Sequence, residues 1–184
     1  GFDAPPVVMM AYNPRYYPAL IEGRGYTKAM DLFAWLYDIE ENLRKAPEKL
    51  FRVAEKAAAR QGIRVRKLDM RHFDRDIELI KEAYNSAWER NWGFVPMTDP
   101  EIDFMAERLK PLLTDGLAFV AEDKTTPIGF LLAMPDFNEA FQPLRGRLFS
   151  PGLFRALPYI LGWRTPRYVR CLTLGVTAGY RNRG

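Results

Sequence analysis

The 184-residue chain is poorest in cysteine and histidine, with one of each, Cys171 and His72. A single cysteine forms no internal disulfide, so a reducing cytoplasm is the expected compartment. One histidine and one cysteine without spaced partners make no metal site, and no metal is expected. A lone strand cysteine is ordinarily inert core, and a lone histidine ahead of a helix is ordinarily a solvated or capping group. Long apolar runs are missing as well, since none reaches the roughly 18 to 20 residues that span a bilayer. The opening Gly1-Phe2-Asp3-Ala4-Pro5-Pro6 lacks the basic and apolar regions of a signal peptide.

Negative charge is scarce in one place only. Residues 140–184 carry eight arginines (145, 147, 155, 164, 167, 170, 181 and 183) and no lysine, aspartate or glutamate. With eight of the 27 basic residues there, the rest of the chain holds 19 basic against 23 acidic groups. The net charge of +4 therefore conceals an acidic front and a basic end. Arginine without lysine suits phosphate recognition, because the guanidinium fork binds phosphate oxygens in pairs. Pairing with carboxylates elsewhere is the ordinary alternative. No nucleic-acid module is recognisable, so nucleic acid is not an expected partner. With 48% hydrophobic and 27% charged residues, the balance is that of a folded domain.

Several elements can be read in order. Val7-Val8-Met9-Met10 has the pattern of a short buried strand, and residues 27–37 that of another, with their aromatics in the core. Residues 38–61 read as a polar helix that Pro47 divides and Gly62 ends. Ile63-Arg64-Val65-Arg66-Lys67-Leu68 alternates as a half-buried strand does. A helix capped by Asp74 carries Ile77, Ile80, Ala83, Tyr84, Ala87 and Trp88 at spacings of three and four. An aromatic loop, Asn91 to Met97, precedes a helix capped at Thr98 or Asp99. Phe119-Val120-Ala121-Glu122 and Pro127-Ile128-Gly129-Phe130 form a hairpin. Residues 135–168 make a long insertion, broken by Pro151 and Pro158. Its aromatics and arginines suit a helical flap first and a membrane surface second, so no membrane partner is expected.

The chain ends on a strand, Cys171 to Val176, followed by Thr177-Ala178-Gly179-Tyr180-Arg181-Asn182-Arg183-Gly184. A strand that feeds a glycine-containing turn at a helix N-terminus makes an anion site, because backbone N–H groups point outward there. These residues resemble the start of the pyrophosphate signature of the GNAT acyl-CoA N-acyltransferases, Arg/Gln-x-x-Gly-x-Gly/Ala. Arg181 and Gly184 fill its first two fixed positions. The "Phe-Val-Ala-Glu" and "Pro-Ile-Gly-Phe" strands resemble the family's second and third. Leu20-Ile21-Glu22-Gly23-Arg24-Gly25-Tyr26 is similar to the family's late Leu-Tyr-Glu-x-x-Gly-Phe segment, with Gly25 as a left-handed helix cap.

The resemblance implies an α/β (α+β) fold, a mixed and mostly antiparallel sheet flanked by helices, truncated after the pyrophosphate-loop strand. It implies three parts: residues 1–38 as the tail of a first GNAT-like lobe, 39–62 as a helical connector, and 63–184 as the front of a second lobe. The implied activity is acetyl transfer from acetyl-CoA to a small-molecule or peptide amine. Leu174, Gly175 and Val176 would hold the pantetheine arm and Arg181, Asn182, Arg183 and Gly184 the pyrophosphate, with a backbone N–H near Val176 on the oxyanion. Trp92, Phe94 and Asn138 would line the acceptor pocket. Where the family's late segment often has a proton-donating tyrosine, this chain has Ile21. The general acid and base stay unassigned, with Glu122, Asp136, Asn138 and Glu139 within the region. The 184 residues alone are expected not to turn over, and a non-catalytic acyl-CoA-binding or structural module is the alternative. Unpaired strand edges predict a homodimer or a complementing chain that completes the sheet.

Overall fold

The computed structural model describes residues 4–181, apart from the side chains of residues 57, 58, 60 and 61. Its first helix, α1 (Tyr17–Glu22), closes at Gly23, and Gly25 follows at φ +88°. Gly25 thus has its expected left-handed conformation, two residues beyond the cap. The strands expected on either side of α1 do not form. Met10 N–H donates to the Val7 carbonyl at 3.1 Å to close a turn, and residues 26–38 have no regular structure. Neither segment has a partner strand among the described residues, and a strand without a ladder leaves its backbone groups to water. Leu32, Phe33, Trp35 and Leu36 are accordingly 74–89% exposed and not core.

The polar helix is divided as Pro47 requires, into α2 (Ile39–Lys45) and α3 (Glu48–Gln61). Asp38 caps α2 by accepting the Glu41 N–H at 2.9 Å. Gly62, at φ +66°, then turns the chain into β1 (Ile63–Lys67). The helices α4 (Phe73–Trp88) and α5 (Asp99–Leu109) follow, then the hairpin β2 (Ala118–Asp123) and β3 (Thr126–Pro135). The insertion holds α6 (Asn138–Phe141) and α7 (Leu153–Ile160), and β4 (Val169–Val176) comes last. The strands form one antiparallel sheet in the order β1-β2-β3-β4. This is an α/β architecture with an antiparallel sheet flanked by helices, as the sequence implies. No helix among the described residues is long and apolar enough to cross a membrane.

Helices α4 and α5 lay their apolar stripes on one face of the sheet. Leu68, Phe73, Ala106 and Ala118 form one buried cluster, and Ala83, Ala87 and Phe130 another. The cap of α5 is Thr98, whose N–H and hydroxyl both donate to Glu101 at 2.8 Å. At α4 the cap position belongs to His72 and not to Asp74. His72 is exposed, with Nδ1 2.9 Å from an Asp69 carboxylate oxygen, the solvated role expected of it.

Strand β1 is half-buried with its faces exchanged. Val65 is 62% exposed, whereas Arg66 turns toward α4. There its guanidinium donates to both carboxylate oxygens of Asp76 (2.6 and 2.7 Å) and to Glu122 (2.7 Å). Asp76 and Glu122 are buried, and only a paired cation makes that tolerable. Two inward acids thus outweigh the apolar preference of Ile63 and Val65.

Candidate active site

Strand β4 lies at the edge of the sheet, with β3 on one side and no strand on the other among the described residues. Thr177 N–H donates to the Ile128 carbonyl at 2.8 Å, and Val176 lies opposite Gly129. Backbone groups alternate along an antiparallel strand, so Gly175 faces β3 while Leu174 and Val176 present their N–H and C=O to the open edge. Their side chains are 62% and 40% exposed. Leu172 is the extra residue of a bulge, since Leu132 pairs with Thr173 and Ala133 with Cys171.

Two glycines let this edge form where it does. A Cβ on Gly175 would stand 2.8 Å from both the Ala87 methyl and Trp88 Nε1, so only glycine lets α4 approach β4 so closely. A Cβ on Gly129 would stand 2.8 Å from the Gly175 carbonyl oxygen. Close approach is therefore the structural reason for the strand glycine singled out in the sequence.

Beyond β4 the chain makes a 3₁₀ turn, Ala178–Tyr180, and folds back. The Tyr180 hydroxyl donates to Asp123 at the end of β2. The Arg181 guanidinium donates to Val176 O (3.2 Å), Ser86 O (3.3 Å) and Ala87 O (2.6 Å). The last two carbonyls belong to the final turn of α4, where cationic donors are favoured. Arg181 thus ties the turn to α4 and β4, a structural task besides the phosphate contact expected of it. Asn182, Arg183 and Gly184 lie outside the described residues.

The three residues expected to line an acceptor pocket are not brought together. Phe94 packs against Tyr84 and Trp88, with ring centroids 6.1 and 6.4 Å away, and Tyr84 in turn stacks on Phe130. Trp92 is 58% exposed. Asn138 lies eight residues along the chain from Phe130, beyond the far end of β3, and its side chain donates to Pro6 O at 2.9 Å. The carboxylates that sequence places near the site are also engaged. Glu122 pairs with Arg66, while Asp136 accepts the Val8 N–H (2.7 Å) and the Asn138 N–H (3.2 Å). Glu139 accepts from the Tyr159 hydroxyl (3.2 Å) and the Arg167 N–H (2.8 Å). Cys171 is exposed on β4 and not core, and partial burial pushes its thiol up, away from the thiolate. No metal-holding cluster of three ligands occurs among the described residues.

Sequence reasoning did not find a cavity of about 210 Å³ under α4 and α5, lined by Phe73, Ile77, Ile80, Ile102, Leu132 and Leu172. Met9 stands at its wall, and Thr173 contributes a buried hydroxyl oxygen with no hydrogen-bond partner among the described residues. For scale, an apolar cavity of about 150 Å³ stays dry and takes benzene. The helix periodicity gives the lining residues, but not the gap left between them.

No protein-family model matches the chain. It is 33% identical over 186 residues to Protein YghO of Escherichia coli, across 98% of this chain and 45% of that protein. It is 34% identical over 160 residues to the bacterial ceramide synthase of Caulobacter vibrioides, across 85% of this chain and 40% of that protein. The chain thus spans under half the length of these relatives. Among solved structures it resembles a mosquito arylalkylamine N-acetyltransferase-like protein (16% identity, 65% of this chain and 63% of that one, TM-score 0.37). It also resembles an agmatine N-acetyltransferase mutant (20% identity, 66% and 63%, TM-score 0.35). Structural likenesses this low carry no argument about activity.

Proposed function

We infer that this chain carries the front of a GNAT-type acyl-CoA N-acyltransferase lobe, and that an acyl-CoA lies along the open edge of β4. The observation behind this reading is the outward-facing main chain of Leu174 and Val176 at an unpaired edge, which runs into the arginine- and glycine-bearing turn. An extended pantetheine arm can add to such an edge as a further strand would. Acetyl-CoA is the simplest donor, and its pyrophosphate would lie at the turn that follows β4. A cytoplasmic location accords with the single cysteine.

In the reaction the amine nitrogen attacks the thioester carbonyl carbon. A C–N bond forms, the C–S bond breaks, the amine gives up a proton, and coenzyme A leaves as a thiol. The Val176 N–H faces the edge where the carbonyl oxygen would gain charge. A preset donor of this kind is worth roughly 3 to 4 kcal/mol in the transition state. The name of the Caulobacter relative supports an acceptor with a hydrocarbon chain, because a ceramide is the amide of a long-chain amino alcohol. The apolar cavity under α4 and α5 is large enough for part of such a chain.

Engagement of Glu122, Asp136 and Glu139, together with Ile21 in place of a tyrosine, favours a second reading in which these 184 residues bind acyl-CoA without transfer. The two readings separate in one assay of thiol release and amide product, run with acetyl- and longer acyl-CoAs against a panel of amines. The 184 residues alone should bind the donor without turnover. A longer chain that includes them should release thiol only when amine is present. Val176→Pro, which removes an outward N–H and no ladder bond, should lower that rate about a hundredfold or more. An unchanged rate in the proline variant removes Val176 from the mechanism.

A further inference from the structure

The basic end of the chain builds a second place for an anion, in the insertion and away from the β4 turn. Between the 3₁₀ turn Gln142–Leu144 and the start of α7 lies an open cleft of about 730 Å³, walled by Arg145, Arg147, Ser150, Gly152 and Arg155. None of the three arginines pairs with a carboxylate among the described residues. Residues 140–184 supply no acid at all. Three guanidinium groups around one cleft repel one another unless an anion joins them, and their forks match phosphate oxygens.

The backbone is shaped to make this cleft. Arg145, at φ +48°, and Gly146, at φ +75°, turn the chain sharply between the 3₁₀ turn and Arg147. Gly152 lies against that turn so closely that a Cβ on it would stand 1.9 Å from the Pro143 carbonyl oxygen. Helix α7 begins directly after Gly152 with no side-chain cap, which leaves the positive end of its dipole at the cleft. Ser150 adds a buried hydroxyl oxygen without a hydrogen-bond partner among the described residues.

What lies beside the cleft identifies the source of the phosphate. Leu148, Phe149 and Phe154 are 61%, 90% and 77% exposed, on the same stretch as the three arginines. A soluble phosphate has no use for them. At a bilayer surface, by contrast, aromatic and aliphatic side chains enter the acyl boundary while arginines hold the headgroups. We propose that Arg145, Arg147 and Arg155 bind the phosphate of an anionic phospholipid headgroup, and that Leu148, Phe149 and Phe154 insert beside it. The flap expected from the sequence is thereby a membrane-docking element, and no membrane partner gives way to a lipid one. This proposal does not depend on the acyltransferase reading.

The test is sedimentation of the purified protein with vesicles of phosphatidylcholine alone and of phosphatidylcholine with phosphatidylglycerol. The protein should bind the anionic vesicles preferentially. Each arginine near an anionic surface is worth roughly fivefold, so an Arg145→Gln/Arg147→Gln/Arg155→Gln variant should bind about a hundredfold more weakly. A Phe149→Ser/Phe154→Ser variant should lose binding that otherwise survives at high salt. All five side chains are exposed, and circular dichroism should show both variants folded like the parent. Equal binding to the two vesicle types, or undiminished binding by the arginine variant, would overturn the proposal. So would calorimetric binding of inorganic phosphate by a parent protein that ignores vesicles, since that would assign the cleft to a soluble phosphate.

Discussion

Asp76 shows how far one residue governs the fold. Burial alone would raise its pKa, yet the Arg66 guanidinium and the Asp69 N–H hold it below the ordinary carboxylate range. A group with a depressed folded pKa stabilises above its unfolded value, about pH 3.9 for aspartate, and loses that contribution as the pH falls through its folded value. Asp76→Asn should therefore cost about 3 kcal/mol at neutral pH, where it leaves Arg66 with one acid in place of two. Below about pH 4 the gap between variant and parent should shrink, as urea denaturation at several pH values would show. Sequence alone gives Asp76 as an ordinary residue of a helix's first turn. The salt bridge depends on register across β1, β2 and α4, which no local pattern contains. The same holds for Arg181, whose phosphate-suited side chain reaches the end of α4 only because the turn folds back.

Among the elements, the helices and the hairpin were legible because each carries its own signals. Pro47 divides α2 from α3, Thr98 and Glu101 start α5, and "Val-Ala-Glu" and "Ile-Gly-Phe" flank a short turn. Strands without a local partner were not legible: residues 27–37 have strand-like composition and form none. Apolar runs mark the wish to be buried, whereas a strand needs a neighbour to pair with. Glycine was readable where packing later explained it. Gly175→Ala should destabilise by about 1 to 3 kcal/mol, because the added methyl overlaps Ala87 and Trp88 at the α4–β4 contact. Thermal denaturation of this variant beside Gly179→Ala, where nothing stands within 4 Å, isolates the contact. Equal loss in both would mean that α4 does not need that approach.

At the scale of the whole molecule, the candidate site is one exposed edge of one sheet. Strand β4 has no strand along its outer edge among the described residues, although the Val176 carbonyl accepts from Arg181, and Val65, Leu174 and Val176 are exposed apolar side chains on β1 and β4. Such an edge invites another chain. A second chain and acyl-CoA would compete for it, so light scattering should find dimers that weaken on adding acyl-CoA and in a Leu174→Lys variant, because a charge on an edge strand disfavours pairing. A monomer at all concentrations would leave the edge free for ligand alone. The last strand and the turn after it lie where the sequence puts them, since strand and turn chemistry are local. It did not assemble Trp92, Phe94 and Asn138, whose separation depends on the length of β3. The measurement to make is an NMR titration of the folded chain with acetyl-CoA, following every assigned backbone amide. Saturable shifts centred on Leu174, Val176 and the 177–181 turn are the expected result. Saturable shifts elsewhere, or none in a chain that gives a folded spectrum, would contradict acyl-CoA binding at the β4 edge.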